Sequence, residues 1–312
     1  MKKELMHTIQ TGRVWDTFGG DKNPEESFRV LKQCGFDAVD FSLSAYIPNK
    51  AIRAGKPYGF YDADLQTLLA YFRPVKEAAD KHGIAFAQAH GPYPLNVEEY
   101  PEVHEYLLGV VEKMLGICQM LECPMLVIHP MIIADREEEL VRNMEMYRKL
   151  IPAAKKYGVM ICLENMFITK NVHKIGGACS NMDDVCYYID TLNKEAGETL
   201  FGFCYDVGHA TLTGNDILRD LKKLGHRLTA LHIHGNDAMK DLHGIPYLVR
   251  TTKHEFTVDW EDFLQGLREI GYRGPLNLEC FGSFSGLPED LMLPLLQYAS
   301  AVCGYFQKRI LE

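Results

Sequence analysis

The sequence predicts an α/β fold, a single closed (β/α)8 TIM barrel, on three observations. Short apolar runs of strand length alternate with longer stretches of helical period about eight times. Several of these runs follow a glycine that ends an amphipathic stretch. No linker rich in Gly, Ser or Pro divides the 312 residues, 47% of which are hydrophobic, so one domain over residues 1–312 is expected.

In chain order, MHTIQTGRVW (6–15) is read as the first strand, ending at Trp15, with a helix from Pro24. DAVDFSLS (37–44) is followed by a helix from Asp64, and AFAQAHGPY (85–93) by one from Pro101. PMLVIHP (124–130) precedes a helix from Asp135, and VMICLEN (159–165) one from Asn181. FGFCYDVGHA (201–210), LTALHIHGN (228–236) and GPLNLEC (274–280) are the last strands, with helices near Asn215 and Val258 and from Pro288 to the end. Asp and Asn suit a helix start because their side chains accept a bond from a free backbone N–H, and Pro suits the first turn. KQCGFDAV, KHGIAF, KKYGVM, KLGHRL and EIGYRG supply the helix-ending glycines.

A formal charge of -9 and a pI near 5.8 disfavour a nucleic-acid partner, which would ask for a basic surface. No run is long and apolar enough for a membrane span, and MKKELMHTIQTGRVW lacks an apolar leader core. Nine cysteines without a CxxC pair, several in strand-like runs, read as reduced thiols. A cytoplasmic protein without membrane association is expected. The C-terminal AVCGYFQKRILE offers a face for a homo-oligomer.

In such a barrel, chemistry sits where the strands end at their C-terminal side. The last polar residues of six successive strands are His90, His129, Glu164, Asp206, His234 and Glu279. His209 follows Asp206 by three positions, and Asp241 and His243 follow the seventh strand. Each alone is most simply a hydrogen-bonded structural group, but together they would be costly to bury without a cation. Glu164, Asp206, His234 and Glu279 offer three carboxylates and an imidazole, which suits one divalent cation such as Mn, Co, Mg or Zn. His232 and His234 share one strand face. His234 is read as the metal ligand and His232 as a deeper residue that orients it, although a bulge would reverse the two. Trp15, Tyr46, Tyr93, Phe167 and Phe281 are expected on the same end of the barrel as an apolar wall for a sugar. The loop after the seventh strand carries Lys240, Arg250, Lys253 and His254, which suit an anionic substituent.

CLENM, YDVGHA, HIHGNDAMKDLH and LNLEC, in this order, resemble the xylose isomerase-like barrel superfamily of sugar isomerases, epimerases and endonuclease IV-type enzymes. The resemblance to ketose 3-epimerases implies one metal ion on Glu164, Asp206, His234 and Glu279, proton transfer by Glu164 and Glu279, and sugar contact by His209. Lys240 stands where that branch has a substrate-binding arginine, and Lys170 where it has a glutamate. The resemblance to endonuclease IV implies two or three zinc ions, with His90, His129, His209, Asp241 and His243 as further ligands. The expected reaction is proton abstraction beside a carbonyl of a sugar or sugar phosphate, through a metal-stabilised ene-diolate, giving isomerisation or epimerisation. The alternatives are an endonuclease IV-like zinc phosphodiesterase on abasic DNA and the metal-bearing subunit of a lyase for oxidised C-glycosides. Lys240, Trp15, His209 and Phe281 are the expected substrate contacts.

Overall fold

The computed structural model describes residues 4–251, 253 and 255–312; His254 lies outside the described residues. Among the described residues there are ten strands: β1 (His7–Gln10), β2 (Ala38–Phe41), β3 (Ala85–His90), β4 (Met125–Ile128), β5 (Met160–Glu164), β6 (Phe167–Lys170), β7 (His173–Gly176), β8 (Phe201–Asp206), β9 (Leu228–His232) and β10 (Leu276–Leu278). Eight of them form one parallel sheet in the order β10-β1-β2-β3-β4-β5-β8-β9. The sheet closes on itself just beyond β9, where the Ile233 N–H donates to the Asn277 carbonyl at 2.9 Å and the Glu279 N–H to the Ile233 carbonyl at 3.1 Å. The result is the (β/α)8 TIM barrel.

Local chemistry sets the helices that return the chain to the bottom of the barrel. Asp64 and Asp135 accept from the Thr67 and Glu138 N–H groups at 3.0 and 2.9 Å, satisfying donors left free at a helix start. The caps near Asn215 and Val258 fall one residue later, on Asp216 and Asp259, whose carboxylates accept from the Arg219 and Asp262 N–H groups. The helices Leu65–His82 and Arg136–Tyr157 stop at Gly83 and Gly158, with φ of 62° and 64°, a left-handed turn that a side chain would resist.

Three local readings differ from the structure. The first strand stops at Gln10, because Gly12, at φ 54°, turns the chain into a short helix, Arg13–Thr17. Trp15 is therefore buried beneath the helices, edge-on to Phe28 and Phe41 at 5.0 and 5.6 Å, and does not reach the mouth of the barrel. The sixth run ends at Asp206, whose carboxylate caps the helix Val207–Leu212. An antiparallel hairpin, β6 and β7, follows the fifth strand. Its turn uses positive φ at Asn171 and Val172, without the glycine that marks such turns in a sequence.

The main core lies between strands and helices, while Val127, Cys162, Cys204 and Ala230 fill the lower lumen as a separate apolar cluster. Asp40, Gln88, His232 and Asn277 are polar residues of the lumen strands with no solvent exposure. All nine cysteines are free thiols. No helix among the described residues is long and apolar enough to cross a membrane.

The turn after His129 is held by Asn143, a buried side chain that accepts from the Met131 N–H at 2.7 Å and donates to the Met131 carbonyl at 2.9 Å. Asn143→Leu should cost about 2–4 kcal/mol, since it strands two buried backbone groups. Urea unfolding monitored by circular dichroism measures it, and a midpoint equal to wild type would refute this role.

Candidate metal centre

A cleft of about 590 Å³ opens at the C-terminal end of the barrel strands, lined among others by His90, His129, Glu164, His209, Asp241, His243 and Glu279. Its floor is built around His232. The Nδ1 of this ring lies 3.0 Å from Glu164 Oε1, 3.2 Å from Glu279 Oε2 and 4.0 Å from Asp206 Oδ2. One ligand atom from each of Glu164, Asp206, His232 and Glu279 fits within 4.8 Å of the others. Asn165 clamps the ends of β5 and β8 by accepting from the Asp206 N–H and donating to the Asp206 carbonyl, both at 2.8 Å. Gln10, on β1, donates to Glu279 Oε1 at 2.6 Å.

Sequence reading placed His234 with Glu164, Asp206 and Glu279; in the structure His232 stands nearest the two glutamates, while His234 Nε2 lies 3.1 and 3.2 Å from the two Asp206 oxygens. The β8–β9 pairing slips by one residue between Leu228 and Ala230, then runs Cys204 to Ala230 and Asp206 to His232. His232 is thus level with Asp206, while His234 lies beyond the strand and reaches Asp206 from above, with Nε2 at 3.1 Å from Oδ1. The ring needs the bare backbone of Gly208, where a Cβ would come within 2.0 Å of His234 Cε1.

His234 instead joins a second group with His209, Asp241 and His243. Asp241 Oδ2 lies 3.0 Å from His243 Nε2 and 3.5 Å from His209 Nε2. The Nδ1–H of His209 donates to the Asn165 carbonyl at 2.8 Å and that of His243 to the Glu279 carbonyl at 3.0 Å, which leaves each Nε2 facing Asp241. On the other side, His129 Nε2 is 3.1 Å and His90 Nε2 3.9 Å from Glu164 Oε2. Glu164 and Asp206 thereby link three groups of ligand-type atoms.

Electrostatics explain why this arrangement holds together. Burial pushes the Glu164 carboxyl up, but His232 and His129 pull it well below the usual range. Asp206 is likewise lowered, burial being outweighed by His209 and His234. Burial opposes charge on His209 and His243, yet Asp206 and Asp241 push the first up to about 10, and Glu279 and Asp241 push the second up to about 9. His90 moves down, through burial and its neighbours His129 and His232. Protons on imidazoles thus balance the carboxylates. A divalent cation fits the same need: the donors are of the right chemistry, and Glu164 Oε2 and Asp241 Oδ1 are buried without a hydrogen bond.

The expected substrate contacts divide. Phe281 lines the cleft and stacks on His243 at 4.2 Å, and Tyr93 and Phe167 also line it. Lys240 is exposed and outside the lining, where its backbone N–H bonds Asp237. Trp15 and Tyr46 lie outside it too: their N–H and O–H donate to Asp21. Arg250 stacks on Phe256 at 4.7 Å. Residues missed by sequence reading are Gln10, Asp40 and Asn165. Asp40 carried a signal, as an acidic residue inside the strand run DAVDF.

The chain belongs to the xylose isomerase-like TIM barrel family, whose profile matches residues 28–295. An uncharacterized protein of Methanocaldococcus jannaschii is 26% identical over 166 residues, 51% of this chain, and one of Sinorhizobium fredii is 32% identical over 107 residues, 34% of this chain. The chain spans 51% and 28% of the lengths of these two relatives. Among solved structures, a D-allulose 3-epimerase of Methylomonas sp. shares the fold with a TM-score of 0.66 at 16% identity, covering 97% of each chain. A 3-keto-D-glucoside 4-epimerase of E. coli does so with a TM-score of 0.65 at 16% identity, covering 96% of this chain and all of that one.

The raised histidines set a pH dependence. A group with a raised folded pKa stabilises the fold fully below its unfolded value, about 6.5 for histidine, and loses that contribution as pH rises through the folded value. Chelator-treated protein should therefore lose thermal stability between about pH 6.5 and the folded values near 9 and 10. Cation binding should release protons and tighten across the same window. Calorimetry in buffers of different ionisation enthalpy tests this, and uptake without proton release would contradict it.

Proposed function

We propose that the protein is a divalent-metal-dependent isomerase or epimerase acting on an uncharged sugar. The observation that carries the reading is the pair Glu164 and Glu279, from the ends of β5 and β10, which both approach one imidazole nitrogen, at 3.0 and 3.2 Å. A divalent ion on Glu164, Asp206, His232 and Glu279 would polarise a sugar carbonyl and its neighbouring hydroxyl, easing loss of a carbon-bound proton. Glu164 and Glu279 are the bases available on either side of that carbon, one removing the proton and either one returning it. Gln10 orients Glu279 through Oε1, and His129 Nε2 stands 3.1 Å from Glu164 Oε2. Two hydrogen-bonding serines, Ser42 and Ser44, line the cleft beside the apolar Ile132, Phe167 and Phe281. No lysine or arginine is among the described lining residues, which supports an uncharged sugar over a phosphate ester. The sugar epimerases that share the fold are consistent with this choice.

Glu164→Gln and Glu279→Gln should each slow exchange of solvent deuterium into free ketoses or keto-glycosides by about 10²–10⁴-fold while the fold persists. Ketose phosphates should be poorer substrates. Wild-type exchange in either variant would remove that residue from proton transfer.

A second reading, zinc-dependent cleavage of a phosphodiester, is favoured by the separate group His209, His234, Asp241 and His243, which offers a further cation position. The acidic chain and the absence of lysine and arginine among the described lining residues weigh against it. Elemental analysis of protein purified without chelator should find about one divalent ion per chain under the sugar reading. Two or three zinc ions, with incision of abasic DNA, would reverse the order.

A further inference from the structure

His232 uses only one ring nitrogen toward the quartet. Its other nitrogen, Nε2, is buried without a hydrogen bond and faces Asp40 Oδ2 at an ion-pair distance of 3.4 Å. Asp40 sits on β2 and has no solvent exposure. Two amides pin the same oxygen: Gln88 Nε2, from β3, donates at 3.1 Å, and Asn277 Nδ2, from β10, at 2.9 Å. Asp40 Oδ1 has no hydrogen-bond partner. Among the described residues, the one ion-pair partner found for this carboxylate is His232.

A buried carboxylate without a lysine or arginine is expensive, and two amide donors could be satisfied by a neutral acceptor. The negative charge makes physical sense if it acts on the imidazole. A carboxylate at Nε2 keeps the proton on that nitrogen and turns the Nδ1 lone pair toward Glu164, Asp206 and Glu279. We propose that Asp40 is the positioning residue of the centre: it fixes His232 as the Nε2–H tautomer and strengthens Nδ1 as a donor to a divalent ion. The proposal rests on the reading that the quartet holds such an ion. The competing role for Asp40 is purely structural, as a tie between β2, β3 and β10 inside the lumen.

The test uses Zn²⁺ on the full chain, with affinity from competition against a chromophoric chelator. Asp40→Asn, nearly isosteric, should weaken Zn²⁺ binding about 10–100-fold. Gln88→Leu, which breaks the tie but leaves Asp40 beside His232, should bind nearly as wild type does. The visible spectrum of the Co²⁺ protein should change in Asp40→Asn and persist in Gln88→Leu. A direct readout covers the case in which Asp40→Asn fails to fold: ¹⁵N spectra of the Zn²⁺-loaded wild type with ring-labelled histidine, His232 being assigned through His232→Gln. A protonated Nε2 and a metal-bound Nδ1 are expected. Wild-type Zn²⁺ affinity in Asp40→Asn, or the opposite assignment of the two nitrogens, overturns the positioning role alone. A wild type that takes up neither Zn²⁺ nor Co²⁺ overturns both this proposal and the reading beneath it.

Discussion

The molecule is organised around one electrostatic constraint: four carboxylates at the mouth of the barrel and a fifth, Asp40, beneath them in the lumen have no lysine or arginine ion-pair partner among the described residues. Asp40, Glu164, Asp206 and Glu279 are buried, and Asp241 is partly so. Six imidazoles, from His90, His129, His209, His232, His234 and His243, are interleaved with them. Mutual repulsion and lost hydration would drive such groups apart in a less rigid frame. Parallel strands closed into a barrel leave them no freedom to separate. Their charge must then be balanced within the site, by protons or by cations.

That constraint accounts for the supporting details. Three of the histidines give Nδ1–H to backbone carbonyls, so that the other nitrogen is committed to the cleft. Asn165 and the capping carboxylate of Asp206 stiffen the step from β8 into its helix. Gly208 leaves the space that the His234 ring occupies. Small side chains, Cys162, Cys204 and Ala230, lie beneath the polar floor and close the lumen.

The grouping of ligand atoms also shapes the chemistry. The lower group brings two glutamates to one nitrogen, the feature on which the proposed proton transfer rests. The upper group is richer in imidazole and lies nearer the aromatic rim formed with Phe281 and Phe167. Asp206 belongs to the first and touches the second, so the two groups share one carboxylate.

The sequence by itself determined the barrel and the residue types at its working end. Strand-length runs, capping residues and helix-ending glycines act over a few neighbours, and those local forces survive in the folded chain, as Asp64, Asp135, Gly83 and Gly158 illustrate. Strand-end residues could be read for the same reason: a parallel strand has one C-terminal end, and whatever closes it faces the mouth. Tertiary structure alone decided which histidine stands beside Glu164, because a one-residue slip between β8 and β9 sets the height of His232 against that of His234. It also decided that Asp40 lies behind that ring and that Trp15 turns into the helix layer. Those outcomes depend on register, closure and a single turn at Gly12, which relate residues far apart in the chain and leave no periodic trace along it.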